Sequence, residues 1–168
     1  RMNGAHIDSP RLDLKPNPLF EQADIAYLKP HYYGGIRKYQ WGATPLAMHG
    51  VVGKKNGEMV EISIGEKEGE PQFCITDLLP HLASEQNGRK LGEGLKGEEL
   101  NVIVGSVPFV DDDVKEPVKL LALKLLHDKY GITEADFFRA EIEMVPAHKA
   151  VDVGLDRSLV GAYGQDDR

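Results

Sequence analysis

Apolar and polar positions change period several times along the chain, and those changes mark its elements. Leu46 to Lys54 and Met59 to Ile64 flank Lys55-Asn56-Gly57-Glu58. An Asn-Gly pair between extended runs predicts a hairpin, because both residues accept positive φ. Ala140, Ile142 and Met144 alternate with Arg139, Glu141 and Glu143, the period of a strand with one wet face. Leu100 to Val104 reads as a compact apolar strand and Phe73-Cys74-Ile75 as a shorter one. Val118, Leu121, Ala122, Leu125 and Leu126 instead recur at the spacing of one helical face. Pro117 suits the first turn of that helix, Asp111-Asp112-Asp113 lies at the positive end of its dipole, and Gly131 supplies the stop.

Elsewhere the pattern is weaker. Gly4 to Asp8, ahead of Ser9-Pro10, reads as a strand end. Leu12 to Lys15 and Ala23 to Leu28 are two extended candidates separated by Pro16-Asn17-Pro18. Tyr32-Tyr33-Gly34-Gly35 is a turn signal, and Ile36 to Trp41 reads as a further strand. Thr76 can cap a short helix through Leu78, Leu79 and Leu82, limited by Pro80. Ser84 to Glu99, charged and rich in glycine with few apolar anchors, reads as a mobile loop. Strands outnumber helices, so the expected class is a β-rich α+β body with no internal repeat.

A chain of 168 residues, 41% hydrophobic and 28% charged, is long enough for one ordinary core and has a globular composition. Asp and Glu number 27 against 20 Lys and Arg, and a net charge of −7 is the wrong sign for a protein that neutralises phosphates. Nucleic acid is therefore excluded as the expected partner. Cys74 is the one cysteine, so no internal disulfide or Cys-x-x-Cys site forms, and a reducing, cytoplasmic setting is expected. No apolar run is long enough to span a bilayer as a helix, and membrane association is not expected. The chain opens on Arg1 and stops at Arg168 without a polar tail, the expectation for a fragment cut at both ends.

Gly92-x-Gly94-x-x-Gly97 matches the dinucleotide fingerprint in letters but lacks the strand before it and the helix after it, and Glu93, Glu98 and Glu99 would repel a pyrophosphate. No nucleophile elbow, P-loop or His-Glu-x-x-His segment is present. The acids at 111–113 lack the alternate spacing of a calcium loop, and His31, His49, His127 and His148 are scattered. His6-x-Asp8 differs: on an extended segment both side chains share a face, so an imidazole can ligate zinc while a carboxylate orients an imidazole from behind. Alone, it is equally a pair near a strand end. Asp166-Asp167-Arg168 follows Gly164, and a carboxylate there could bridge two metal ions, or serve as a charged surface turn.

Taken together, Ala5-His6-Ile7-Asp8-Ser9-Pro10, Tyr33-Gly34-Gly35 with Trp41, and Gly154-Leu155-Asp156 leading to Asp166-Asp167-Arg168 resemble the aspartyl aminopeptidase family of dizinc metallopeptidases. The stretch around Leu12-Asp13-Leu14-Lys15-Pro16-Asn17-Pro18 resembles bacterial members in particular. The resemblance covers the whole chain. It implies a catalytic-domain strand with His-x-Asp over residues 1–12, a β-rich inserted oligomerisation domain over 13–151, and a return to an α/β catalytic domain over 152–168. His6 is then a zinc ligand, Asp8 the residue steadying a ligand imidazole, and Asp166 the carboxylate bridging both zincs. His81 resembles a histidine that reaches into a neighbouring subunit's active site. The implied activity is removal of the N-terminal residue of peptides by a water activated between two zincs, with cobalt or manganese as alternative metals, in a large homo-oligomer. The family's glutamate pair and later ligands fall beyond Arg168, so the 168 residues alone are expected to be inactive. After Trp41 the chain reads Gly42-Ala43-Thr44 where many relatives carry an acidic-basic pair. Two rivals stay open: a non-catalytic β-rich interaction module, in which His6 and Asp166 need not converge, and a related dizinc carboxypeptidase or deacylase.

Overall fold

A computed structural model describes residues 1–4, 9–110 and 113–164. Its main element is a seven-stranded sheet in which every strand pair is antiparallel. The strands are β1 (Arg11–Gln22), β2 (Ile25–Tyr33), β3 (Leu46–Gly53), β4 (Met59–Ile64), β5 (Cys74–Ile75), β6 (Val102–Gly105) and β7 (Ala140–Pro146). They lie in the order β4-β3-β7-β1-β2-β6-β5. The sheet curls until Phe73, just ahead of β5, exchanges two backbone hydrogen bonds with Leu46 of β3, at 2.7 and 2.9 Å.

Period-two patterning explains the curl's inside and outside. Ile64, Met48, Met144 and Leu12 are register partners across β4, β3, β7 and β1, and all four are buried. The neighbouring row, Ser63, His49, Glu143 and Asp13, points the other way. Leu28, Leu46, Val52, Ile75, Leu100, Val102 and Ile132 also belong to the core. The helix α2 (Pro117–Tyr130) lies against β1, β2 and β6 and ends in Gly131 at φ 65°, the left-handed stop that its sequence signals. A separate two-stranded hairpin, β8 (Val151–Val153) and β9 (Leu159–Gly161), follows β7.

The Asn56-Gly57 hairpin, the strand at 140–146 and the helix at 117–130 form as their patterns predict. Four expectations are corrected. The prolines do not separate two strands: β1 runs through Pro16 and Pro18, and its register with β2 shifts between Leu14 and Leu19, so residues without an N–H sit where the ladder is interrupted. The real break is at Ala23 and Asp24, both at positive φ (51° and 59°), the geometry of a two-residue hairpin turn. Ile36 to Trp41 is not a strand: Lys38–Trp41 forms a 3₁₀ turn that drives Trp41 into the core. No helix follows Thr76; Asp77 Oδ1 accepts from the Leu78 N–H at 2.8 Å and from Gln86 Nε2 at 2.9 Å, fixing an open turn instead. The expected loop from Ser84 to Glu99 folds into α1 (Ser84–Asn87) and two 3₁₀ turns, with Leu95 buried beneath them. Gly92, Gly94 and Gly97 belong to those turns, with no strand-to-helix crossover around them.

Candidate active site

The proposed ligands His6 and Asp166, and Asp8, lie outside the described residues, as does most of the strand end at 4–8. What the structure defines is where the chain stands on either side of them. Ser9 and Gly164 are 155 residues apart in sequence, and the Ser9 hydroxyl donates to the Gly164 carbonyl at 3.3 Å. Gly164 has φ +73°, a turn that favours glycine, and a Cβ there would lie 2.6 Å from Ser9 Oγ and displace that hydroxyl.

The other motif residues gather at the same junction. Gly34, at φ +75°, turns the chain beneath Pro10, whose Cα is 3.6 Å from where a Cβ would stand. Trp41 meets Tyr163 edge to face, with ring centroids 6.0 Å apart and planes at 89°. Arg11 lies 4.0 Å over the Tyr33 ring and binds Asp13 at 2.8 Å and Glu143 at 2.9 Å, clamping β1 to β7. Tyr163 Oη is buried with no hydrogen-bond partner among the described residues, and burial pushes its pKa up to about 12. A cleft of about 440 Å³ opens here between Pro10, Arg37, Trp41, His148 and Tyr163. Arg11, His148 and Tyr163 carry no local motif, and sequence reading passed over them; only register and tertiary packing bring them to this place.

His81 stands elsewhere, in an exposed turn between Leu79 and Leu82, which are 59% and 63% exposed. It is not brought to the junction within this chain. Of the triple acid, only Asp113 is described. Among the described residues, no three His, Cys, Asp or Glu side chains form a cluster able to hold a metal ion. An imidazole nitrogen and a carboxylate oxygen, the donors expected at His6 and Asp166, are a set that suits zinc, and the Ser9–Gly164 contact joins the described residues that adjoin the two motifs in sequence. No helix among the described residues is long and apolar enough to cross a membrane.

Comparison with known proteins gives a match over residues 1–168 to the family model described as aminopeptidase I zinc metalloprotease (M18). The chain is 55% identical over 165 residues to a probable M18 family aminopeptidase 1 of Clostridium acetobutylicum, covering 98% of this chain and 36% of that protein. It is similar to the crystal structure of an M18 family aminopeptidase from Thermotoga maritima, with a TM-score of 0.92 and 56% identity over 97% of this chain and 36% of that one. At the level of fold alone it is also similar to the S. cerevisiae mApe1 dodecamer, with a TM-score of 0.57 and 17% identity over 93% of this chain and 33% of that one. The chain thus spans 36% of the length of the first two relatives.

Proposed function

Because the chain belongs to the aminopeptidase I (M18) zinc metalloprotease family, we propose that it is the part of a zinc-dependent aminopeptidase that carries two metal-binding segments and an oligomerisation domain. Residues 1–12 bring in the His-x-Asp strand, 13–151 form the inserted domain, and 152–168 return to the catalytic domain. His6 and Asp166 would hold the zinc, and Asp8 would orient a ligand imidazole by accepting a hydrogen bond from its remaining ring N–H. Bound zinc supplies Lewis acidity for the scissile carbonyl and lowers the pKa of water. Within this chain the work is positional: the curled sheet holds the two ligand segments together, and Trp41 and Tyr163 wall the junction against solvent. The base that accepts the water's proton belongs to the length of the relatives that this chain does not span.

The observation that carries this reading is the Ser9–Gly164 contact, which an interaction module has no need of. The likeness to a dodecamer and the exposed Leu79 and Leu82 beside His81 support a homo-oligomer in which His81 serves a neighbouring subunit. We also infer peptide substrates and a cytoplasmic setting, the latter from the lone Cys74.

The test uses the protein encoded by the whole gene. His6→Ala and Asp166→Ala should each lower zinc content and cut kcat/KM on aminoacyl amides by at least about a hundredfold, and Asp8→Asn by roughly 10–100-fold. Unchanged zinc content and activity in both ligand variants would sink the proposal. A mixture of His81→Ala and Asp166→Ala subunits should recover part of the activity if His81 acts across subunits.

A further inference from the structure

The cleft at the junction carries a charge pattern that the rest of the chain does not share. Its walls include Arg37, Gln40, Trp41, Thr44 and His148, and no Asp or Glu is among the described residues that line it. Both wall segments are free of acids: none occurs from Ile25 to Gly57 or from Met144 to Val151, whereas the whole chain has 27 Asp and Glu against 20 Lys and Arg. Lys38 and Lys149 stand next in sequence to Arg37 and His148. A cleft lined by one sign of charge concentrates ligands of the other sign.

The backbone that carries Arg37 is held at both ends of its turn. The Arg37 carbonyl accepts from the Gln40 N–H at 2.9 Å, the Thr44 hydroxyl donates to the Gln40 carbonyl at 2.8 Å, and the turn ends in the buried Trp41. The guanidinium lies 5.2 Å from the Tyr39 ring centroid, and among the described residues no carboxylate pairs with it. Its planar fork fits a carboxylate through two parallel hydrogen bonds. The volume of about 440 Å³ is that of a small-molecule site. Two of the walls, Pro10 and Gly164, stand two residues from Asp8 and Asp166, so the cleft adjoins the segments expected to hold zinc. In the aminopeptidase proposed above the scissile carbonyl lies at the metal, and the one anion that every peptide brings is the carboxylate at its other end. At about 3.3–3.6 Å per extended residue, only a short peptide ends that near the metal. We propose that this cleft is a carboxylate subsite, in which Arg37, with Gln40 and His148 beside it, binds the C-terminus of di- and tripeptides and makes them the preferred substrates. This rests on the aminopeptidase reading and names its substrate class.

Kinetics of the full-length protein test it, with X-Gly-Gly and X-Gly-Gly amide as a pair, X being the neutral residue removed fastest from aminoacyl amides. The wild type should favour the free acid by at least roughly tenfold in kcat/KM, expressed mainly in KM. Arg37→Ala should abolish that preference, Arg37→Lys should keep part of it, and Arg37→Glu should reverse it. Each ratio is taken on one preparation, so a loss of folded or zinc-loaded protein cancels. A wild type that treats acid and amide alike, or a preference that survives Arg37→Glu, overturns the subsite while the aminopeptidase stands. If Arg37→Ala instead slows removal of an acidic N-terminal residue and leaves the acid-to-amide ratio intact, the cleft takes a side chain and the C-terminal assignment is overturned. If the wild type hydrolyses neither aminoacyl amides nor peptides, both readings fail.

Discussion

At Gly50 the β3 backbone passes so close to β7 that a Cβ would lie 2.2 Å from the Glu141 carbonyl oxygen and 2.7 Å from the Ile142 Cα. Both contacts are backbone, so no rotamer change relieves them. Gly50→Ala is expected to destabilise the fold by roughly 3 kcal/mol, at the upper end of overpacking costs. Gly57 in the neighbouring hairpin turn has φ +88° but open space around it, so Gly57→Ala should cost only the backbone strain, about 1 kcal/mol. Denaturant midpoints of the two variants check the contrast, and equal losses would refute it. Asp136, only 6% exposed, accepts from the Thr133 hydroxyl at 2.7 Å, from the Thr133 N–H at 2.9 Å and from Arg139 at 2.7 Å. The Thr133 hydroxyl first, then its N–H and Arg139, hold the carboxyl below its ordinary value of 3.8. The folded state therefore binds this proton less tightly than the unfolded chain. Its stabilisation is complete above about pH 4 and is lost as pH falls through the depressed native value. Asp136→Asn should lower stability at neutral pH by about 1–3 kcal/mol, and the gap to wild type should close on acidification. A gap that stays constant down to about pH 3 would contradict the assignment.

Among the elements, the segment from Ser84 to Glu99 is drawn together by one polar side chain over the buried Leu95. Arg89 reaches Glu85 at 3.0 Å, Glu99 at 3.1 Å and the Gly94 carbonyl at 3.3 Å, drawing α1 and both 3₁₀ turns together. Ion pairs to exposed carboxylates contribute little each, so Arg89→Ala should leave global stability nearly unchanged while making this segment the first site of proteolysis. Loss of the whole sheet at the same denaturant concentration would show the segment to be part of the core. This segment also shows where sequence reading stops. Its composition offers few apolar anchors, so nothing local announces that Arg89 and the buried Leu95 order it. The Asn56-Gly57 hairpin and α2 were legible because turn chemistry and periodicity are local signals. The turn at Ala23-Asp24 was not, since neither residue advertises positive φ and the prolines at 16 and 18 carry the louder punctuation. Ile36 to Trp41 misled for a related reason: its three large apolar residues suggest a short strand, whereas Lys38–Trp41 forms a 3₁₀ turn with Trp41 buried in the core.

For the whole molecule, the decisive feature is that the curled sheet brings residues 155 positions apart into contact at one end. Periodicity could not foresee this. The resemblance of short motifs led to the expectation that His6 and Asp166 converge; both lie outside the described residues, while Pro10, Tyr33, Gly34 and Trp41 gather around the Ser9–Gly164 contact. Gly164 is where this architecture and the proposed chemistry can be separated by experiment. An added Cβ meets Ser9 Oγ at 2.6 Å on a backbone at φ +73°, so Gly164→Ala strains the turn that leads to Asp166, two residues on, and turns the Ser9 hydroxyl away from its contact. A Cβ at Gly164 meets only Ser9 and none of the core side chains, so Leu12, Met48, Val102 and Met144 should be little affected. In the full-length protein, Gly164→Ala is therefore expected to keep most of its thermal stability. A displacement of about an ångström at a positioned catalytic group costs on the order of a hundredfold, so kcat/KM should fall by that amount with a parallel loss of zinc. Gly57→Ala, which strains a turn far along the sheet, should leave zinc content and activity unchanged. Full zinc and full activity in Gly164→Ala would mean that the Ser9–Gly164 contact does not set the metal site, and the convergence of the two chain segments would then be a matter of folding alone.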